Sequence, residues 1–188
     1  MSLPFSTGGT LSERTEVLIC GLIFLLTSMT GCPSDQFITD YRSIVSSELS
    51  LSALSIAESK VGCPYFWGAK GPDCFDCSGI ITWTYTQADS DIRFATRDGL
   101  SKEAAMQDIN DFNILQVDRY HVRPGDIVFI TLDSGKVSHG GLFVGWIGPD
   151  KFKFINASSY YGKVVIDSFQ VSGVVRGQWF VGFGRLLQ

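Results

Sequence analysis

Apolar positions along the chain change their period at Pro124. Before it they recur at helical spacing or in one unbroken run; after it they come in short stretches rich in Val, Ile and Phe. Leu49, Leu51, Leu54 and Ile56 predict a helix from Glu48 to Lys60, stopped by Gly62 with Pro64 beyond it. Ile80 to Tyr85 lacks glycine and proline and predicts a helix from Ser78 to about Ala88. Residues 89–120 carry the weakest pattern, with Leu100–Ile109 suited to a short helix and the remainder to loop. Strands are predicted over 126–130, 142–147 and 152–157, with 164–166 and 182–186 supplying more, and Gly148-Pro149-Asp150 turns the chain between the second and third. Helices first and closely spaced strands later indicate an α+β fold with an antiparallel sheet.

The 13-residue apolar run Val17–Met29 is too short to span a bilayer comfortably and has the length of a signal-peptide core. It ends in Met29-Thr30-Gly31-Cys32, which resembles the lipobox of bacterial lipoproteins, with methionine where leucine is usual and a weak positive flank at Arg14. The resemblance implies a signal over 1–31, lipidation of Cys32, a linker over 32–47 and a folded domain over 48–188. It also implies export to the cell envelope and attachment to a membrane. A chain of 188 residues fits one domain outside that leader, and a formal charge of -4 without a basic run argues against nucleic acid as a partner. A monomer is expected.

Of five cysteines, Cys77 stands out. The turn-rich stretch from Gly62 to Asp76 delivers it to the first turn of the Ser78 helix, where unpaired N–H groups and the helix dipole favour a thiolate. Its pKa is therefore expected below the ~8.5 of a free thiol, as a nucleophile requires. Cys63 and Cys74 are open to either a disulfide or two free thiols. Cys74-Phe75-Asp76-Cys77 also has the C-x-x-C spacing of redox modules, but no strand precedes it and that chemistry leaves His139 unused. Two histidines are candidates for a base: His121, in a polar approach to a turn, reads as a surface group, and His139 lies at a strand entrance among glycines.

Pro64-Tyr65-Phe66-Trp67-Gly68, Phe75-Asp76-Cys77-Ser78-Gly79, Pro124-Gly125-Asp126-Ile127-Val128-Phe129 and His139 with Gly141-Leu142-Phe143-Val144-Gly145 occur in an order that resembles the NlpC-type cell-wall peptidases. Those are papain-like cysteine peptidases that cut the stem peptides of peptidoglycan. The resemblance implies a papain-like α+β core with the nucleophile at a helix N-terminus. It assigns Cys77 as nucleophile, His139 as base and Asn156 as the polar residue that orients the ring, with no metal or cofactor. It makes Tyr65 an oxyanion donor or substrate contact, and Asp76 and Ser78 readers of a substrate amine; helix capping is the competing role for Asp76. The implied substrate bond joins D-glutamate to diaminopimelate or lysine, although relatives of this fold that are amidases or acyltransferases leave the acyl group open. Departures are Cys63, Cys74, Ala69 where a second glycine is usual, Gly140 in place of a larger apolar residue, and the wording of 93–118.

Overall fold

The computed structural model describes residues 42–133 and 135–188. The signal, the lipobox and Cys32 lie outside the described residues. Helix α1 (Ser47–Glu58) starts at Ser46, whose hydroxyl accepts from Leu49 N at 3.1 Å, and buries Ala53, Leu54 and Ala57. Helix α2 (Cys77–Ala88) packs against α1 and buries Ile80, Ile81 and Tyr85. A hairpin of β1 (Phe94–Thr96) and β2 (Gly99–Ser101) and helix α3 (Met106–Phe112) follow. The main sheet is antiparallel, with β3 (Ile114–Val117), β4 (Ile127–Thr131), β5 (His139–Trp146), β6 (Lys151–Ser158), β7 (Lys163–Gln170) and β9 (Gln178–Leu186). Their order is β3-β9-β4-β5-β6-β7, and the short β8 (Val174–Val175) pairs with β9.

Alternation along the strands sorts the sheet into two faces. Ile127, Phe129, Leu142, Ile155, Ala157 and Val164 meet α1 and α2 on one side. Val128, Ile130, Phe143, Phe152, Phe154, Phe169 and Phe183 form a second cluster on the other, in largely edge-to-face ring pairs such as Phe152–Phe183 at 5.3 Å. The helices are thus held at one face, and α2 presents its first residue at the end of the sheet where β5 begins.

Two further ties fix that arrangement. Asp126, fully buried, accepts from Arg185 Nε and Nη2 at 3.0 and 2.9 Å and from Arg123 N, so it closes the turn before β4. Tyr85 of α2 donates to Gly125 O at 2.9 Å. Gly125 has φ +91°, and a Cβ there would meet Ser50 O at 2.4 Å, so α1 comes this close only against glycine.

The folded unit begins earlier than the sequence pattern suggests. Arg42 donates to backbone oxygens of Phe112, Arg93 and Leu187, and Val45 is 1% exposed. Residues 42–47 therefore belong to the domain, and the linker expected to reach residue 47 is corrected in that part. The short helix expected over 100–109 lies instead at Met106–Phe112, because Gly99–Ser101 pairs with Phe94–Thr96. Among the described residues no helix is long and apolar enough to cross a membrane.

Candidate active site

The segment from Pro64 to Asp76 doubles back on itself before entering α2. Phe75 N donates to Pro64 O and Phe66 N to Phe75 O, both at 3.0 Å, and Asp76 N donates to Ala69 O at 2.8 Å. The same Ala69 oxygen would lie 2.1 Å from a Cβ on Gly79, so glycine is required for the approach segment to cross the helix start. Asp76 is the N-cap: its Oδ1 accepts from Gly79 N at 2.6 Å and from Ser78 Oγ at 2.9 Å, and Oδ2 accepts from Gly68 N at 3.1 Å. Lys70, which the sequence reading passed over, places Nζ 3.0 Å from both carboxylate oxygens and 2.5 Å from Ser78 Oγ. The polar pair expected to read a substrate amine is already engaged by the chain's own ammonium.

Cys77 is 9% exposed and lines a cleft of about 720 Å³. One wall comes from Trp67, Lys70 and Ser78, the other from the β1–β2 hairpin and the start of α3. The segment 89–120 therefore builds half of the cleft. Met106 fills the room that Gly140 leaves: a Cβ at Gly140 would sit 2.5 Å from Met106 Cε. Burial, and then the Asp76 charge, push the Cys77 thiol up to about 11, against the lowering effect of the Ser78 N–H and of Lys70. The expected depression of this pKa is thereby corrected. The helix terminus acts in the predicted sense, but desolvation of the sulfur outweighs it.

His139 is the first residue of β5, opposite Ile130 on the face that carries the phenylalanine cluster. Its Nε2 lies 3.1 Å from Asn156 Oδ1 on the neighbouring strand, and its ring meets Phe154 edge-on. With Oδ1 accepting, the ring carries its proton on Nε2 and leaves Nδ1 unprotonated. The ring keeps some exposed surface, yet protein surrounds it closely. That desolvation holds its pKa below the ordinary imidazole value, with Asn156 and Asp167 opposing. The ring is neutral at neutral pH.

The structure thus brings together two sets. Cys77, Asp76, Ser78 and Tyr65 meet at the helix start, where burial and the charges of Cys77 and Asp76 raise the Tyr65 phenol. His139 and Asn156 meet at the mouth of β5 and β6. No hydrogen bond joins the sulfur to the ring. Cys77 Sγ faces Ser138 O at 3.9 Å, one residue before the imidazole. His121 is an exposed partner of Asp118 at 2.8 Å and stands apart from both sets. Cys63, Cys74 and Cys77 are all free thiols, and the described residues contain no cluster of His, Cys, Asp and Glu suited to a metal.

An antiparallel sheet flanked on one face by a helix that opens on a cysteine, with a histidine on a neighbouring strand, defines a papain-like α+β domain. The NlpC/P60 family pattern matches residues 62–183, and the chain belongs to that family. It is 35% identical over 142 residues to the probable endopeptidase p60 of Listeria grayi, covering 75% of this chain and 24% of that protein. The chain spans less than a quarter of the length of the curated p60 relatives it matches. Among solved structures, NlpC1 of Trichomonas vaginalis superposes with a TM-score of 0.56 at 25% identity, over 78% of this chain and 47% of that one. The peptidoglycan hydrolase RipB of Mycobacterium tuberculosis has the same fold, with a TM-score of 0.51 at 19% identity over 94% of this chain and 85% of that one.

Proposed function

We propose that this chain is a cysteine endopeptidase that hydrolyses the peptide stems of bacterial peptidoglycan at the bond between D-glutamate and diaminopimelate or lysine. The supporting observation is Cys77 at the first turn of α2, open to the cleft, beside a strand that starts with a neutral imidazole held at Nε2 by Asn156. Membership of a family with named endopeptidases points the same way.

His139 Nδ1 takes the thiol proton as Cys77 Sγ attacks the scissile carbonyl. In the resting arrangement the thiol is protonated and the ring neutral, so His139 can act toward Cys77 as a base. In the structure the ring lies on the sheet face opposite α2 and lines a separate small cavity, so the productive complex requires the β5 entrance at Ser138 and His139 to turn Nδ1 toward Sγ when substrate binds. The oxyanion is met by the backbone N–H of Cys77 and the Tyr65 hydroxyl. The imidazolium then protonates the leaving amine, and water activated by the same ring cleaves the thioester. Asn156 keeps the ring's proton on Nε2 throughout. Export and lipid attachment through Cys32 would place this activity in the cell envelope, and metabolic labelling with a fatty acid, lost in Cys32→Ser, tests that anchor.

The test of the activity is digestion of purified muropeptides, which keep the sugar joined to the stem, by wild type and Cys77→Ala, followed by mass spectrometry. The proposal expects a new amine on the third residue with wild type only. A new terminus at the first residue would identify an amidase; undiminished release by the alanine variant would end the proposal.

A further inference from the structure

Asn156 is 1% exposed, and only half of its amide is satisfied. Oδ1 faces His139, while Nδ2 is buried without a hydrogen-bond partner. Asn156 lines a small cavity of about 40 Å³, together with Ser158, Asp167, Arg176 and Gln178 among others. The space is polar and large enough for one water. Asp167 stands opposite Phe154 in the β6–β7 pairing, so it shares a sheet face with Asn156 and His139. Its Oδ1 accepts from Ser168 N at 2.7 Å, and its Oδ2 is paired with the Arg176 guanidinium.

Arg176 occupies an unfavourable backbone position to make that pair. It has φ +51°, the one non-glycine residue with positive φ among the described residues, and Gly177 after it has φ +75°. Together they form the two-residue turn between Val175 and Gln178, a place where Asn-Gly is the relaxed choice. A left-handed arginine persists where its surroundings hold it. Here the guanidinium lies over the Tyr160 and Tyr161 rings, 5.6 and 5.7 Å from their centroids, and against Asp167.

We propose that Asp167 and Arg176 are positioning residues for the His139–Asn156 pair. Asp167 accepts from Asn156 Nδ2 through one water in the small cavity, and Arg176 holds that carboxylate in place and tempers its charge. The consequence is tautomeric. With Nδ2 turned to Asp167, Oδ1 must face Nε2–H, and Nδ1 stays free to act as base. A rotated amide would present N–H to Nε2 and drive the ring proton onto Nδ1. The inference rests on the reading of Cys77, His139 and Asn156 as the reacting set. The charged groups facing the ring are Asp167 from β7 and Arg176 from the β8–β9 turn; Phe154 and Tyr160 complete its surroundings, and the Cys77 thiol lines the other cleft. Asp167 raises the imidazole pKa and Arg176 lowers it.

The experiment is the pH profile of stem-peptide hydrolysis by the full chain, comparing wild type, Asp167→Asn, Arg176→Asn, Cys77→Ala and His139→Ala. Asparagine tolerates the turn geometry at 176, so that variant keeps the hairpin while losing the guanidinium. Asp167→Asn is expected to lose roughly 10-fold or more in kcat, with KM little changed, and to move the acid limb to lower pH. Arg176→Asn is expected to move the acid limb to higher pH. If Asp167→Asn does not fold, the direction of the Arg176→Asn shift alone decides. Unmoved acid limbs in both folded variants, with Cys77→Ala and His139→Ala inactive, would overturn this inference and leave the peptidase reading standing. Activity retained by Cys77→Ala or His139→Ala would overturn both.

Discussion

Asp76 holds two offices that can be separated by two substitutions. Its carboxylate caps α2 through Gly79 N at 2.6 Å and also gathers Gly68 N, Ser78 Oγ and the Lys70 ammonium. Asp76→Ala removes the cap and so strands the buried Gly79 N–H, which should cost about 2–3 kcal/mol, the upper part of the range for a lost cap or an unsatisfied buried donor. Asp76→Asn keeps an acceptor for Gly79 N and should cost only about 1 kcal/mol. Urea denaturation at constant m-value reads that difference. The second office is electrostatic. Asp76 is the second cause, after burial, of the thiol's rise to about 11. Neutralising it lowers the Cys77 pKa, and the unpaired Lys70 ammonium lowers it further. Iodoacetamide alkylation of Cys77 as a function of pH measures this, and Asp76→Asn should show its midpoint below that of wild type. An unchanged or higher midpoint would refute the electrostatic argument. Equal stability of the two variants would refute the capping argument.

Other outcomes follow from the packing and the buried charges. Gly140→Ala puts a Cβ against Val128 O and Met106 Cε, so it should cost about 1–3 kcal/mol. Only part of that should return in a Met106→Ala background, and strict additivity in the denaturation cycle would contradict the shared space. Arg185→Ala leaves the fully buried Asp126 carboxylate without its guanidinium and should cost about 3–5 kcal/mol, and a loss under about 1 kcal/mol would deny the pair its structural role. Because burial holds the His139 pKa below the 6.5 of a free imidazole, the unfolded chain binds a proton there before the folded chain does. That contribution to stability is complete above pH 6.5 and declines as pH falls toward the folded value. His139→Gln should flatten the stability slope in that window, and an unaltered slope would contradict the desolvated ring.

Much of this frame was readable from residue pattern. The helix expected from Ser78 to Ala88 begins one residue earlier, at Cys77, since Asp76 is the cap. The strands expected over 126–130, 142–147 and 152–157 are the centre of the observed sheet. They were legible because Val, Ile and Phe runs sit between glycine and proline turns. Residues 89–120 were not, because three-residue strands carry no period and α3 lacks a side-chain cap. The cleft wall they form has no local signature.

The site was legible in part. Cys77 and His139 stand in motifs, and Asn156 followed only from the family resemblance, but the faces on which they lie depend on strand register. The thiol's raised pKa depends on burial, which spacing does not encode. Lys70 had a signal that went unused: a lone basic residue six positions before the capping aspartate, in a segment that folds back across the helix start. Arg176 had one as well, since an arginine stands before Gly177 where a turn favours asparagine.

The claim on which the account rests is that the sulfur of Cys77 becomes acylated by a stem peptide. Intact-mass spectrometry of the full chain quenched in acid during turnover reads this directly. The account predicts an adduct equal to the acyl half of the stem, mapped to the peptide containing Cys77 and missing from Cys77→Ala. Turnover with no adduct on Cys77, matched by an equally active alanine variant, would contradict it.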